Sequence, residues 1–427
     1  MNLCNNCAIL IYKDTQGEIK MKVNKTRDMT PFDMKKRPCR QSPLLMPIVW
    51  GASFLLTRPF GLKIDRSGIK GLKPPFLVIS THQGFTDYYI TPLSVFPYRA
   101  SYVSDMEGFA AFGDTLYRKI GCIGKRRFVT DMTVLNNIKY ALRKNKDIVF
   151  IFPEARHSNV GTTSMLPDNM GRLAKLLKVP VVTLTVHGSY LISPFWDEEH
   201  TRKAPARAEI KLLYTAEELK EIPEEEIQKR LEKELQYDEY KWQYDNKIKI
   251  SFKNRAEGLS NALYHCIKCG SEFTMKDNGS TIFCEKCGKS WEMSEYGQLI
   301  EQKSGEAIHI PHWYEMQREQ VRKELMADYR QEFSVTVQAL PNEKGFVNMG
   351  EGRLRHSKEG FTLEFGGERL FFPTRTLPSV QTEYNYKGHG KCIVLSTRDC
   401  CYYVYCRSTC FNPTKLQFAA EELYLVR

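Results

Sequence analysis

The chain predicts an α/β domain, a sheet flanked by helices, followed by a small four-cysteine module and a mostly-β region that ends in a helix. Three observations carry this reading. Between about residues 70 and 215, short apolar runs alternate with segments of helical periodicity, as expected for a sheet covered on both faces. Two Cys-x2-Cys pairs stand at 266–269 and 284–287. Beyond residue 333, β-branched and aromatic runs are separated by glycine-containing turns, and an apolar helical stripe closes the chain.

In the α/β part, Phe76–Ile79 is a continuous apolar run bounded by Pro74-Pro75 and by turn formers, hence a short buried strand. Ala100–Val103, Asp147–Phe152, Val179–Val186 and Ile210–Tyr214 read as further strands. Phe109–Tyr117, the stripe Val134, Ile138, Ala141 and Leu142, and Met170–Leu177 read as helices. Leu44–Leu56 is apolar but too short to span a bilayer, so it predicts a core helix or one lying in the membrane interface. Lys35, Lys36, Arg37 and Arg40 precede it, and Trp50, Phe54 and Phe60 lie in or just after it. That composition suits an anionic bilayer surface.

Glu217–Glu239 holds ten acids against four bases and predicts a solvated connecting helix. A mixed helix follows near Met316–Arg330. Phe361–Phe365, Arg369–Phe372, Lys391–Ser396 and Cys401–Cys406 predict strands. Asn412 predicts a cap, with Pro413 at the first helical position and Leu416, Ala419, Ala420 and Leu423 along one face. Five to seven strands and a closing helix resemble a pleckstrin-homology-type barrel in pattern. Arg353, Arg355, Lys358 and Arg369 are candidates for a lipid-facing basic patch there, beside the alternative of a solvated sheet face.

These readings divide the chain into a basic, weakly structured segment at 1–43, the α/β domain with its interfacial helix at 44–215, and a charged connector at 216–260. The cysteine module takes 261–295 and the β-rich domain 330–427. A length of 427 residues fits several domains. The net charge of +12 is uneven: residues 1–60 hold ten Lys/Arg against four Asp/Glu. Thirteen cysteines without a signal-peptide pattern predict a reducing cytosol and free thiols. The expected location is cytoplasmic, peripheral on the inner membrane face, with no transmembrane helix.

His82 follows the first strand, and Asp87 comes after four intervening residues. A carboxylate at that spacing can hold one imidazole nitrogen and leave the other as a general base for an alcohol; a strand-end histidine satisfied by a turn carboxylate is the plainer alternative. Three stretches lie behind this pair: Gly121 to Lys125-Arg126-Arg127, Phe152-Pro153-Glu154-Ala155-Arg156-His157-Ser158, and Val179-Pro180-Val181. Together with His82 and Asp87 they resemble, in order and spacing, the four blocks of the glycerol-phosphate acyltransferase family, in particular the 1-acyl-glycerol-3-phosphate acyltransferases.

The resemblance covers roughly residues 45–215. It implies an acyltransferase fold, no organic cofactor, and acyl transfer from acyl-CoA or acyl carrier protein to a lysophosphatidic-acid-like membrane lipid. It casts His82 as general base and Asp87 as the group that orients it. Gly121, Arg126, Arg127, Glu154 and Arg156 become acceptor-binding candidates, with Arg127 at the place of the family's arginine. The third block departs from Gly-Thr-Arg-Ser: Arg156 is displaced by one position, and His157 stands where the family's arginine would be. A catalytically degenerate fold serving as a lipid- or protein-binding scaffold is the competing expectation.

Cys266, Cys269, Cys284 and Cys287 form two knuckles with fourteen residues between them, each followed by a glycine that permits the tight turn. They predict a closed Cys4 site, a zinc ribbon whose metal is structural, stiffening the join between domains. Lys268, Lys276, Lys286 and Lys289 are interspersed with Glu272, Asp277 and Glu285, so nucleic acid is not the expected partner.

Overall fold

The computed structural model describes residues 22–197 and 199–426; Cys4 and Cys7, a further Cys-x2-Cys in the sequence, lie outside them. Seven strands form the first sheet: β1 (Lys63–Gly68), β2 (Leu77–Ser80), β3 (Ala100–Ser104), β4 (Cys122–Gly124), β5 (Ile148–Ile151), β6 (Val181–His187) and β7 (Arg207–Tyr214). Their order is β1-β7-β6-β2-β5-β3-β4. From β6 to β4 the sheet is parallel, β7 runs antiparallel to β6, and β1 lies parallel to β7. β2 and β5 are buried at every position, which is why they read as unbroken apolar runs. Successive side chains serve opposite faces. Val78, Phe150, Val182 and Leu184 join one core, while Leu77, Ile79, Val149, Ile151 and Val181 join the other. Each such fully buried apolar side chain contributes ~1.5–3 kcal/mol.

The helix Met170–Leu177 forms as the sequence predicts, and Leu44–Leu56 becomes the helix Met46–Thr57. Phe109–Tyr117 instead splits into Met106–Phe112 and Asp114–Lys119 at Gly113, whose φ of 81° leaves the helical region. β1 and β4 carried no sequence signal, because the first is a largely exposed edge and the second only three residues long. The acidic connector is more than a solvated rod. Pro223 precedes a separate helix, Glu224–Leu235, whose Ile227, Leu231 and Leu235 are buried in the core that also holds Met170, Ala174 and Leu177.

Residues 22–43 form no helix or strand, yet they pack against the rest of the chain. Phe32 is buried between Phe109 and the Arg118 guanidinium, 4.8 and 4.9 Å from ring centroid to ring centroid and to the cation. The Asn342 amide donates to the carbonyls of Asp28 and Thr30. The segment straps the first sheet to the C-terminal one through irregular contacts, which leave no periodicity to read. Among the described residues no helix is long and apolar enough to cross a membrane.

The ribbon is an antiparallel sheet of β8 (Met275–Asn278), β9 (Thr281–Cys284), β10 (Ser290–Met293), β11 (Gln298–Glu301) and β12 (Ala307–His309). It leads into the helix Ile310–Met326. The ribbon's Met275, Ile282 and Trp291 share one hydrophobic core with Tyr190, Phe195 and Trp196 of the α/β part. It is therefore an integral wedge, where the sequence suggested a spacer.

The C-terminal sheet comprises β13 (Arg330–Leu340), β14 (Val347–Ser357), β15 (Gly360–Phe365), β16 (Glu368–Pro373), β17 (Gln381–Glu383), β18 (Cys392–Ser396) and β19 (Cys401–Tyr405). All pairings are antiparallel, in the order β16-β15-β14-β13-β19-β18-β17. Asn412 caps the closing helix, Pro413–Leu425, by accepting from the Lys415 N–H at 3.1 Å. The helix is buried nearly all round: Leu416 and Ala420 face the C-terminal core, whereas Phe418, Ala419 and Leu423 enter the main one. Arg353, Arg355 and Arg369 pair with Glu332 and Glu364, two carboxylates against the four cations of the candidate patch.

Candidate active site and metal centre

His82 and Glu154 follow the carboxyl ends of the neighbouring strands β2 and β5, where ligands gather on open α/β sheets. The loop after β2 turns back at Gly84, where an added Cβ would stand 2.8 Å from the Ser189 carbonyl oxygen. Only glycine fits this approach, and it brings Asp87, the first residue of the helix Asp87–Ser94, beside His82. One Asp87 oxygen accepts from the backbone N–H groups of Gln83 and Gly84 at 2.8 and 3.1 Å. The same oxygen lies 3.1 Å from His82 Nδ1. A carboxylate held there sets the tautomer: Nδ1 carries the proton and Nε2 presents its lone pair. Nε2 is 3.4 Å from the Tyr88 hydroxyl, an active-site group whose only sequence signal was its place next to Asp87.

His82 is nearly buried, with its ring 4.3 Å from Phe152 and 4.1 Å from His157. The His157 Nε2 has no partner. Burial, then the neighbouring His82 and Arg127, hold the His157 imidazole well below its ordinary pKa, so it stays neutral. Phe85 and Tyr88, 54% and 42% exposed, form an aromatic rim beside the site.

Glu154 is brought to the site as a brace. Its two oxygens accept from the N–H groups of His82 at 2.9 Å and Ser164 at 2.7 Å, tying the two loops together. Burial pushes its pKa up to about 7, against those donors. Gly121 serves the backbone: at φ 106°, an added Cβ would stand 2.5 Å from the Ala100 carbonyl oxygen.

The three arginines are already engaged. Arg126 donates to the carbonyls of Arg398, Pro341 and Asp399 at 2.7, 2.9 and 2.8 Å, clamping the C-terminal sheet. Arg127 pairs with Asp105 and lies 4.0 Å from both Glu107 and Glu383. Arg156 donates to Glu421 at 3.0 Å. Burial works against the Glu421 carboxylate, but Arg156 and Arg318 hold it below the usual carboxylate range. Breaking so buried a pair by removing one partner costs ~3–5 kcal/mol. None of the C-terminal partners was legible in the sequence, since they lie more than two hundred residues away.

Cys266, Cys269, Cys284 and Cys287 come together with all four sulfurs within 4.8 Å of one another. The closest pairs, Cys266–Cys287 and Cys269–Cys284, stand 3.7 and 3.8 Å apart. A tetrahedral ion with metal–sulfur bonds of about 2.3 Å needs sulfurs about 3.8 Å apart. The residues fit a four-coordinate metal ion, and Thr274 places its hydroxyl 3.4 Å from Cys284 Sγ as an outer support. His265 is not part of the cluster.

The buried histidine–aspartate pair stands at the carboxyl edge of the parallel strands, and a family comparison covers the same part of the chain. Residues 63–187 match the family model described as Acyltransferase. This part of the chain is similar to that family, and the ribbon and C-terminal sheet lie outside the match. Among solved structures it is similar to the crystal structure of the 1-acyl-sn-glycerophosphate (LPA) acyltransferase, PlsC, from Thermotoga maritima, at 18% identity and a TM-score of 0.38, over 45% of this chain and 76% of that one. No curated protein matches the chain.

Proposed function

We propose that the chain moves a fatty acyl group from a thioester donor, acyl-CoA or acyl carrier protein, to the hydroxyl of a lysophosphatidic-acid-like acceptor. The observation that carries this reading is the Asp87-held His82, with Nδ1 3.1 Å from the carboxylate and Nε2 turned toward the rim. The acceptor hydroxyl displaces Tyr88 from Nε2, gives up its proton there, and attacks the thioester carbonyl. The C–S bond then breaks, and the leaving thiolate takes the proton from the imidazolium. Asp87 stabilises that imidazolium, the part an aspartate plays in a serine-protease triad. No acyl-enzyme is needed.

Zinc in the Cys4 site supports the fold only, because four sulfurs leave no position for substrate. The helix Met46–Thr57, with Ile48, Phe54 and Leu55 exposed, rests on the membrane surface as a peripheral contact. The competing scaffold reading draws on the ion pairs that occupy Arg127 and Arg156. Purified full-length protein given acyl-CoA or acyl carrier protein and a lysophospholipid in mixed micelles should release free thiol and diacyl product in equal amounts. Absence of both with either donor would leave the scaffold.

A further inference from the structure

We propose that the acceptor at His82 is a lysolipid without a phosphate dianion, one whose phosphate is a diester or is missing altogether. This rests on the acyl-transfer reading but departs from its lysophosphatidic-acid-like acceptor. A monoester dianion needs cations that are free to meet it; Arg127 is paired, and the unpartnered Arg126 Nε and Arg156 Nη1 are enclosed within the protein. Arg127 is one cation among three carboxylates, Asp105, Glu107 and Glu383. Glu107 also accepts from the hydroxyls of Tyr386 at 2.6 Å and Tyr403 at 2.7 Å. A dianion arriving at Arg127 would meet more negative charge than positive.

Arg156 offers no better place. Its partner Glu421 is also held by Arg318 at 2.7 Å, the Ser379 hydroxyl at 2.6 Å and the Gln417 amide at 3.0 Å, so four side chains fix the carboxylate. Arg126 directs its fork at main-chain carbonyls of the C-terminal sheet. What faces His82 directly is the ring of His157, 4.1 Å away and 6% exposed, with Nε2 unpartnered. A neutral imidazole suits an ester or hydroxyl oxygen and gives a dianion no counter-charge. The rim of Phe85 and Tyr88 likewise receives apolar chain rather than charge.

The experiment uses the full chain with one donor and three acceptors of equal acyl length: lysophosphatidic acid, lysophosphatidylglycerol and monoacylglycerol. We expect kcat/KM for the diester or the phosphate-free acceptor to exceed that for lysophosphatidic acid by roughly tenfold or more, the size of a discrimination worth one unpaired charge. Glu383→Gln, which removes one carboxylate from Arg127, should narrow that ratio by lowering the KM for lysophosphatidic acid. Arg127→Gln should leave the ranking of the three acceptors as it is. A preference for lysophosphatidic acid, with Arg127→Gln raising its KM alone, would overturn the inference while leaving acyl transfer intact. Absence of thiol release and of product with every acceptor would overturn both.

Discussion

Glu154 shows how one buried side chain can serve the site without touching substrate. Both oxygens hold backbone N–H groups, and burial raises its pKa from 4.5 to about 7. A carboxyl with a raised folded-state pKa supplies stability that is fully present below the unfolded value and lost as pH rises through the folded one. Glu154 therefore costs stability progressively between pH 4.5 and about 7, by about 3 kcal/mol in all. In Glu154→Gln that pH dependence should vanish, with about 1 kcal/mol lost at low pH because the new amide can accept from one N–H only. Urea midpoints of the two proteins across this range check it, and parallel curves would contradict it. At this scale the pairing of His82 with Asp87 was legible, because it needs only neighbours on one loop, whereas Glu154, expected at the acceptor, braces two loops instead. The engagement of Arg126, Arg127 and Arg156 was not legible, since it depends on side chains and carbonyls brought in by the C-terminal sheet and helix.

Elements with an unbroken apolar run, such as β2 and β5, were readable, whereas the closing helix was read with one apolar face although it is buried nearly all round. The closing helix has an apparent apolar face, yet Lys415, Gln417 and Glu421 are buried too, because the helix lies between two cores. The helix Met46–Thr57 shows the opposite case, apolar with little of it covered: Leu44 just before it and Ile48, Phe54 and Leu55 within it are 84%, 65%, 60% and 55% exposed. Apolar contact should dominate its membrane binding, since Lys36 already pairs with Asp114 and Arg40 with Asp147. Ile48→Asp or Phe54→Asp should weaken co-sedimentation with anionic vesicles by about tenfold or more, given ~1.5–3 kcal/mol for each large apolar side chain withdrawn from water. Added salt should weaken it only modestly. Sedimentation of either variant equal to that of the unaltered protein would count against the helix as the membrane contact.

Across the whole molecule, the α/β sheet, the ribbon and the closing helix share one core, in which Trp196, Trp291 and Phe418 are all buried. The order of the parts could be read from the sequence, but their fusion could not, because long-range packing leaves no local periodicity. Loss of the metal should therefore reach beyond the ribbon. Cys284→Ser should lose one equivalent of metal and lower the main unfolding transition by about 5 °C or more, as metal and folding energies are coupled. Metal content by mass spectrometry with calorimetry tests this. Metal loss with an unmoved main transition would mean that the ribbon folds as a separate unit.

The central claim is that His82 removes the proton from an acceptor hydroxyl while Asp87 orients it, and the turnover of His82→Ala against its lipid affinity tests that most directly. General-base loss typically lowers the rate by ~10²–10⁴. The expected result is a fall in kcat of that size with lysolipid binding and the unfolding midpoint nearly unchanged, and Asp87→Asn should also be severe. An His82→Ala protein that acylates its acceptor at the unaltered rate would contradict the mechanism.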